Sequence, residues 1–565
     1  MDDIESIRYL ITALKNPSNE NNATAESQIL NNIVYFTPRL RDVQVVSQLI
    51  QVFFQWKPRW LTIWDIFKAS SSIMQWKLEI SEPQINIHTF VSLWKQEIGS
   101  YRALNCFQIS IVAGLVSSHS QLNTLQKQLY IDDSGIAEKE LHDLKYRHFL
   151  PYWKQQLIIA RGNPHQTDDL CVLYSMIHSK LDNDLPHDII FSNLFDILVD
   201  YIKNANMEYS GRNAFAYQHI NLLCKTCADS IPHLHNHSEL LMGKMITLHD
   251  ITKKLTAKAS LSKKGNYTAK YYTNCLFIVV LLLSGYRPDP SNVSIMTFTL
   301  YYISFILQDF GLDGFSAYQS LIHSLCNVTS QDLKIFDSIL TGMVSQVSFD
   351  MENKVYHSMM LFILEYLQLN MSLLEIPDAQ YLTERIEPLI GPLLSSTDIK
   401  LRESAHLVWL ELYNNDSWKP DIVEFKLKRI RVYLRDCFQG CQKSFMTKEQ
   451  LLLVWKSMLP IIRHLSNYDI NLVRDLIHST YLNIINSENL EMKSIGIECL
   501  VEQLYNVPEK YLWDWLNTCK QLIEGQPPVM RDILFTKLWE FVSHAHNELA
   551  IRWWYDAVVP TLSRF

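Results

Sequence analysis

Apolar side chains recur along this chain at intervals of three and four residues, which is the spacing of one face of an α-helix. In the first predicted helix these side chains are Ile4, Ile7, Leu10, Ile11 and Leu14. Asn16 and Pro17 follow, and a proline after a polar residue ends a helix. The same cycle of an apolar stripe and a short polar break recurs for roughly two dozen segments, whereas the alternation typical of strands is nearly absent.

Helices that follow one another in this way predict an all-α fold with no sheet. Because each helix pair must bury its apolar face against the next pair, we expect an elongated α-solenoid of irregular, HEAT-like helix hairpins. No consensus of fixed period is visible in the sequence, so an irregular α-helical globule remains the alternative.

Two segments are apolar enough to raise the question of a membrane span. They are residues 271–283 (YYTNCLFIVVLLL) and residues 296–307 (MTFTLYYISFIL). Each is shorter than the roughly 20 residues that cross the hydrocarbon core of a bilayer. We therefore predict a buried helix hairpin and no transmembrane span.

A lysine-rich segment, residues 253–270, is the predicted boundary between two parts of the chain. Its lysines are Lys253, Lys254, Lys258, Lys263, Lys264 and Lys270. We predict a basic polar loop here, between an N-terminal helical-repeat segment (residues 1–252) and a C-terminal one (residues 271–562). The loop is either simply solvated or a contact for anionic lipid headgroups or an acidic partner surface.

A second basic cluster lies on a predicted helix and consists of Lys426, Lys428, Arg429, Arg431 and Arg435. A solvated helix face is favoured over a partner contact for this cluster. Near the end of the chain, Trp553, Trp554 and Tyr555 are predicted to cap a core rather than to form a docking site.

The composition limits the class of protein. A chain of 565 residues with 48% apolar and 19% charged residues can bury a large core, and its length favours several domains or a repeat architecture. Only 15 glycines are present, as expected for helices rather than for sheets or phosphate loops. The net charge of −8 argues against a general nucleic-acid binder.

Cys224 and Cys227 have the spacing of a zinc half-site. The histidines around them are His219, His233, His235 and His237. Both cysteines also lie on one apolar helix face with Leu223, so a buried core is favoured over a metal site. Phosphate-loop, dinucleotide-binding and nucleophile-elbow motifs are missing from the sequence. We therefore predict no enzymatic activity, no metal and no cofactor.

The chain ends on Ser563, Arg564 and Phe565, a small, a basic and a bulky apolar residue. This tripeptide resembles the C-terminal Ser-Lys-Leu address of peroxisomal proteins. A small residue fits a tight slot, a cation meets an acidic lining, and the last side chain fills an apolar pocket. We predict that residues 563–565 are a targeting signal bound by the peroxisomal import receptor, with phenylalanine in place of leucine as a departure.

Several stretches in order along the chain resemble the peroxin 8 family of yeasts. In the first part they are residues 9–14 (YLITAL), 32–39 (NIVYFTPR) and 76–83 (WKLEISEP). In the second part they are residues 386–389 (IEPL), 429–434 (RIRVYL), 472–478 (LVRDLIH), 497–500 (IECL), 538–543 (LWEFVS) and 549–555 (LAIRWWY). Residues 100–370 match the family in character more than in exact sequence.

The resemblance implies a peripheral protein on the luminal, matrix side of the peroxisomal membrane, imported through its C-terminal signal. It also implies a non-enzymatic scaffold that bridges the receptor-docking complex and the RING-finger ubiquitin-ligase complex. Such a scaffold contacts the import receptor and assists cargo release, without binding nucleic acid. The alternative is a soluble, karyopherin-like helical-repeat transport adaptor whose C-terminal tripeptide occurs by chance.

Overall fold

The fold is all-α over the residues that the computed structural model describes, which are 2–15, 22–80, 85–118, 135–177, 184–204, 209–261, 269–310, 315–347 and 352–562. None of these residues lies in a strand. They form two compact units, one of Met1–Pro288 with Ile295–Leu321 and the other of Asp289–Ser294 with Ile322–Phe565.

Helices of eleven to twenty-four residues dominate the first unit. In chain order its helices are α1 (Asp2–Lys15), α2 (Ala23–Phe36), α3 (Val43–Gln55), α4 (Ile63–Glu79), α5 (Ile87–Gly99), α6 (Cys106–Ser117), α7 (Ile136–Asp143, continued by a π-helical turn Leu144–Phe149), α8 (Leu150–Ala160), α9 (Pro164–Ile177), α10 (His187–Lys203), α11 (Gly211–Ala216), α12 (Ile220–Ser230, followed by a 3₁₀ turn Ile231–His233), α13 (Ser238–Leu261), α14 (Ala269–Ser284) and α15 (Val293–Phe310).

The second unit continues the same pattern after α16 (Ser316–Thr329), within which the division falls. Its helices are α17 (Leu333–Val344), α18 (Lys354–Met371), α19 (Ala379–Tyr381, continued by a π-helical turn Leu382–Ile386), α20 (Glu387–Ile390, followed by a 3₁₀ turn Gly391–Ser395), α21 (Ile399–Asn414), α22 (Pro420–Gln442), α23 (Lys448–Leu465), α24 (Leu472–Asn486), α25 (Leu490–Gln503, followed by a 3₁₀ turn Leu504–Asn506), α26 (Glu509–Glu524), α27 (Pro528–His544), α28 (Glu548–Trp553, continued by a π-helical turn Trp554–Val558) and α29 (Val559–Leu562).

Side-chain caps define where many helices begin. Thr62 and Asp65 form a reciprocal capping box at the start of α4, and Thr447 and Gln450 form another at the start of α23. Such caps supply acceptors for backbone N–H groups that have no partner inside the helix. The polar breaks in the sequence are thus the residues that start and stop the helices.

Most helices pack against neighbours one, two or three positions along the chain, while α4 also contacts α11. Helix α4 contacts α6, α10 contacts α12, α12 contacts α14, α18 contacts α21, α23 contacts α25, and α25 contacts α27. This is how helical-repeat proteins bury their apolar faces. The predicted all-α fold, with irregular helix hairpins stacked in series as in an α-solenoid, is confirmed.

The two most apolar segments form helices α14 and α15, as the sequence predicts. Their side chains are mostly buried, and the rings of Tyr272 and Phe305 contact edge to face with centroids 5.6 Å apart. Among the described residues, no helix combines the length and the apolar character needed to cross a bilayer.

The predicted basic loop at residues 253–270 needs correction. Residues 253–261 complete helix α13, residues 262–268 lie outside the described residues, and α14 begins at Ala269. Helix α13 continues because Ile251, Thr252, Leu255 and Thr256 still present a buried face beneath the lysines. The two compact units also divide at later residues than the predicted boundary. The separation into residues 1–252 and 271–562 therefore stays a prediction.

Helices α4 and α6 approach so closely that Gly114 has no room for a side chain. A Cβ atom there would lie 2.4 Å from the carbonyl oxygen of Phe67 and 2.7 Å from Cβ of Ser70. Both distances are shorter than van der Waals contact, so the two helices would have to separate.

We expect Gly114→Ala to weaken the α4–α6 packing by about 2 kcal/mol, the usual effect of overfilling a packed core. Hydrogen exchange of the α4 and α6 amides measures this local opening. Gly243→Ala is the matched control, because Gly243 is exposed in α13 with nothing within 4 Å of its Cβ position. In Gly243→Ala the amides of α13 should exchange more slowly, since alanine favours a helix over glycine by about 1 kcal/mol. Unchanged exchange in Gly114→Ala would contradict the close approach.

Candidate interaction surfaces

The described lysines of the basic segment lie on two helices. Lys253, Lys254 and Lys258 are exposed on α13, and Lys270 is exposed in the first turn of α14. Lys263 and Lys264 lie outside the described residues. The ammonium group of Lys253 lies 5.9 Å from the ring centroid of Tyr302, so this lysine has an aromatic partner.

A cavity of about 180 Å³ lies beside two of these lysines. Its lining is Ile202, Lys203, Ile251, Lys254, Leu255, Lys258 and Tyr271. Helices α10, α13 and α14 contribute these side chains. The predicted contact residues Lys254 and Lys258 are thereby brought together with Lys203, which the sequence analysis did not single out.

The first residue of the second basic cluster, Lys426, does not lie on a solvated face. Lys426 is fully buried, and its ammonium group donates to the carbonyl oxygens of Asn415 at 2.7 Å and Tyr413 at 3.3 Å. It also lies 4.2 Å from the ring centroid of Trp418. Burial lowers the pKa of Lys426 to about 8. The sequence-based expectation of a solvated lysine at this position is wrong.

The arginines of that cluster link helix α22 to its neighbours. Arg429 pairs with Glu387 at 2.7 Å, and Arg431 pairs with Asp469 at 2.6 Å and with Asp475 at 3.2 Å. These pairs connect α22 to α20 and to the start of α24. Arg429 and Arg431 are therefore engaged in ion pairs within the fold.

The other two cations of the cluster remain on the surface. Lys428 pairs with Glu424 at 2.6 Å one helical turn away, and its side chain is 73% exposed. Arg435 contacts its neighbour Asp436 at 3.2 Å and is also largely exposed. Both side chains lie on the surface, and their interpretation as a solvated face rather than a partner contact stays a prediction.

The Cys224–Cys227 region does not bring its thiols and imidazoles together. Both cysteines are completely buried, and the Cys227 thiol lies 3.7 Å from the carbonyl oxygen of Phe191. Burial raises the pKa of both thiols well above the ordinary value, which disfavours the thiolate that zinc requires.

The neighbouring histidines His233, His235 and His237 are exposed instead, and the His233 ring stacks on His187 with centroids 4.2 Å apart. Within the described ranges, no group of three or more His, Cys, Asp or Glu side chains is arranged to hold a metal ion. The favoured interpretation of Cys224 and Cys227 as core residues is confirmed by their burial.

Near the C-terminus, Trp553 and Trp554 are buried in the core formed by α24 to α28, and Trp553 donates to Asn517 Oδ1 at 2.8 Å. The predicted core cap is confirmed for these two tryptophans, whereas Tyr555 is 60% exposed. The predicted targeting residues Ser563, Arg564 and Phe565 lie outside the described residues.

A groove between α21 and α23 is a surface that the sequence analysis did not find. Its volume is about 260 Å³, and Leu407 and Leu453 line it while remaining 45% and 62% exposed. Met446, Leu410 and Val454 complete its apolar lining. We call this surface the α21–α23 groove. Leu407 and Leu453 thus place two large, partly exposed apolar side chains on facing helices.

A signal for this groove was present in the sequence. Leu407 and Leu410 are three residues apart on α21, off the stripe that contains Leu401 and Val408. A helix with a second apolar stripe has two faces to cover. Leu453 has no comparable signal, because only the fold places it opposite Leu407.

A second cavity of about 240 Å³, at α22, shares the lining residues Arg402, His406 and Met446 with the α21–α23 groove. His406, which lines both cavities, lies with Nδ1 3.0 Å from the Tyr433 hydroxyl. Burial lowers the pKa of His406 to about 4. The histidine is therefore neutral at physiological pH, and the groove takes no positive charge from it.

This chain is similar to a known family model in its C-terminal part and to a known protein over nearly its whole length. Residues 428–563 match the family described as PEX8 C-terminal domain. The chain is 26% identical to Peroxisomal biogenesis factor 8 of Saccharomyces cerevisiae over 602 aligned positions, which cover 99% of each protein.

Solved structures give only a weak likeness. A crystal structure of importin beta has a TM-score of 0.28 and 10% identity, covering 96% of this chain and 80% of that one. The structure of SYS-1 has a TM-score of 0.26 and 11% identity, covering 96% and 99% of the two chains. Scores this low bear on neither fold nor function.

The buried ammonium of Lys426 should make stability depend on pH in a recognisable way. Because its pKa is lower in the folded chain than in the unfolded one, the unfolded state binds more protons between about pH 8 and pH 10.4. The burial penalty is largest below pH 8 and diminishes as the pH rises. The free energy of unfolding of the native chain, relative to that of Lys426→Met, should therefore increase by about 2 kcal/mol between pH 7 and pH 9.5.

Urea denaturation followed by tryptophan fluorescence at the two pH values measures this gain. Lys428→Met is the matched control, because Lys428 lies on the same helix and is largely exposed. Its stability difference from the native chain should be the same at both pH values. A Lys426→Met difference that does not change with pH would contradict the buried, charged state of this lysine.

Proposed function

Because this chain belongs to the peroxin 8 family of yeasts, we propose that it acts in peroxisome biogenesis as a non-enzymatic scaffold for the import of matrix proteins. The observation that carries this proposal is the similarity to Peroxisomal biogenesis factor 8, which runs through 99% of both chains. Similarity over the whole length argues for a shared role of the whole protein rather than for a shared module.

The scaffold would work on the matrix side of the peroxisomal membrane and be peripheral to it. It would bridge the receptor-docking complex and the RING-finger ubiquitin-ligase complex and assist the release of cargo from the import receptor. Two compact units of stacked helices give such a protein separate surfaces for separate partners. Binding two complexes to one chain raises their effective concentration without tight individual contacts.

The import receptor would bind this chain at two places. The first is the C-terminal tripeptide Ser563, Arg564 and Phe565, which also directs the chain into the organelle. The second is the α21–α23 groove, where Leu407 and Leu453 would be covered by the apolar face of an amphipathic helical segment of the receptor. Apolar anchors in a groove are the usual contacts in helix-in-groove recognition.

Purification of the N-terminally tagged chain from detergent-solubilised peroxisomal membranes tests the bridging role. We expect docking-complex and RING-finger-complex subunits to co-purify, and the two complexes to separate from each other when the chain is absent. Recovery of the receptor alone would reduce the chain to cargo or an unloading factor. Recovery of neither complex nor receptor would refute the proposed scaffold.

The groove is tested with the double variant Leu407→Asp/Leu453→Asp. Both leucines are exposed, so the fold should persist, while receptor binding should weaken at least tenfold because a desolvated apolar anchor is lost. Leu482→Asp is the control, since Leu482 is 55% exposed on α24 and does not line the groove. Deleting residues 563–565 should weaken receptor binding without abolishing it. Complete loss on that deletion, or equal binding by the groove and control variants, would exclude the second contact.

A further inference from the structure

We propose that the cavity beside α13 binds the phosphate group of an anionic membrane lipid. The lysines that would hold the phosphate are Lys203, Lys254 and Lys258, which line the cavity together. This site rests on the geometry of the first unit alone and would exist whether or not the chain bridges import complexes.

Among the described residues, carboxylates balance the charges at this cavity only in part. Lys254 and Lys258 are one helical turn apart on α13, and neither forms an ion pair with another described residue. Lys203 has only a long pair, 3.6 Å, with Asp200, and both side chains are at least half exposed. Like charges four residues apart on a helix repel each other. A bound anion would remove that repulsion.

Helix ends explain part of this arrangement but not all of it. Lys203 and Lys258 lie in the last turns of α10 and α13, where cations are favoured by the backbone carbonyls. Lys254 lies one turn earlier, where this effect has largely faded. The helix-end effect therefore accounts for the positions of Lys203 and Lys258, but not for that of Lys254 or for the cavity that the three lysines line.

Apart from the lysines, the described residues of the cavity wall are apolar and offer a ligand no neutral donor. Ile202, Ile251, Leu255 and Tyr271 are each no more than 8% exposed, and the Tyr271 hydroxyl already donates to the carbonyl oxygen of Ile202 at 2.6 Å. The ammonium groups are therefore the groups that would bind a polar ligand. Cations above an apolar floor suit a ligand that carries a phosphate and an apolar portion.

The size of the cavity favours a lipid over a soluble metabolite. Its volume of about 180 Å³ is below the roughly 300–1,000 Å³ of pockets that enclose a drug-sized ligand. It can hold a phosphate and the first atoms attached to it, while the remainder of the ligand stays outside. A lipid whose chains remain in the membrane meets this condition.

Sedimentation of the full chain with vesicles tests the site. We expect little binding to vesicles of phosphatidylcholine and clear binding when about one fifth of the lipid is phosphatidic acid. The double variant Lys254→Gln/Lys258→Gln should lower that binding roughly thirty-fold, since each lysine near an anionic surface contributes about 1 kcal/mol. Lys254→Arg/Lys258→Arg should retain it. Equal far-ultraviolet circular dichroism and thermal midpoints would show that all variants are folded.

Lys253→Gln/Lys270→Gln is the matched control, because it removes the same charge from exposed lysines that do not line the cavity. We expect this variant to bind within about threefold of the native chain, because exposed lysines without a fixed contact to the phosphate are screened by salt and contribute little. Equal losses in the two double glutamine variants would mean diffuse attraction to the membrane and would overturn the site. Inorganic phosphate distinguishes the other source of the same chemistry. If it bound the native chain but not Lys254→Gln/Lys258→Gln, while vesicle binding was the same for both, the lipid would be excluded in favour of free phosphate.

Discussion

The ends of helices in the second unit are completed by polar side chains from later in the chain, and the buried ammonium of Lys426 is the contact on which this arrangement depends most. It donates to the carbonyl oxygens of Tyr413 and Asn415 at the end of α21. The Asn415 side chain in turn donates to the carbonyl oxygens of Met371 at 2.6 Å and Leu374 at 2.8 Å, at the end of α18. Carbonyls at a helix end have no partner within the helix, so α18, α21 and α22 depend on one another in sequence.

Much of the fold could be predicted from the sequence, because helix-forming stripes and polar breaks are local signals. The apolar segments at α14 and α15 and the core role of Trp553 followed from such patterns. Local signals failed where a charged residue sits on a buried face. Lys426 looks like its exposed neighbour Lys428 in the sequence, and only the carbonyls of another helix end distinguish them. The lysines after residue 252 suggested a loop because they are interspersed with the buried residues of α13, which hides the apolar stripe of that helix.

The candidate sites were less predictable, since each depends on residues far apart in the chain. Lys203 joins Lys254 and Lys258 only because α10 packs near α13, and Leu453 faces Leu407 only because α23 packs near α21. The Cys224–Cys227 pair shows the opposite case, in which a familiar spacing comes from the periodicity of a buried helix face. The C-terminal tripeptide could be recognised from sequence alone, because a targeting signal is read as a short linear segment.

Packing between near neighbours in the chain also determines how such a protein yields to force. When contacts run mainly between successive helix pairs, few distant contacts resist the removal of one pair, and stability is close to a sum of local terms. The core of α24 to α28 draws its side chains from one continuous part of the sequence, residues 477–558. Tension along the chain would therefore be released in steps of about one hairpin, so that the chain would lengthen gradually rather than unfold all at once.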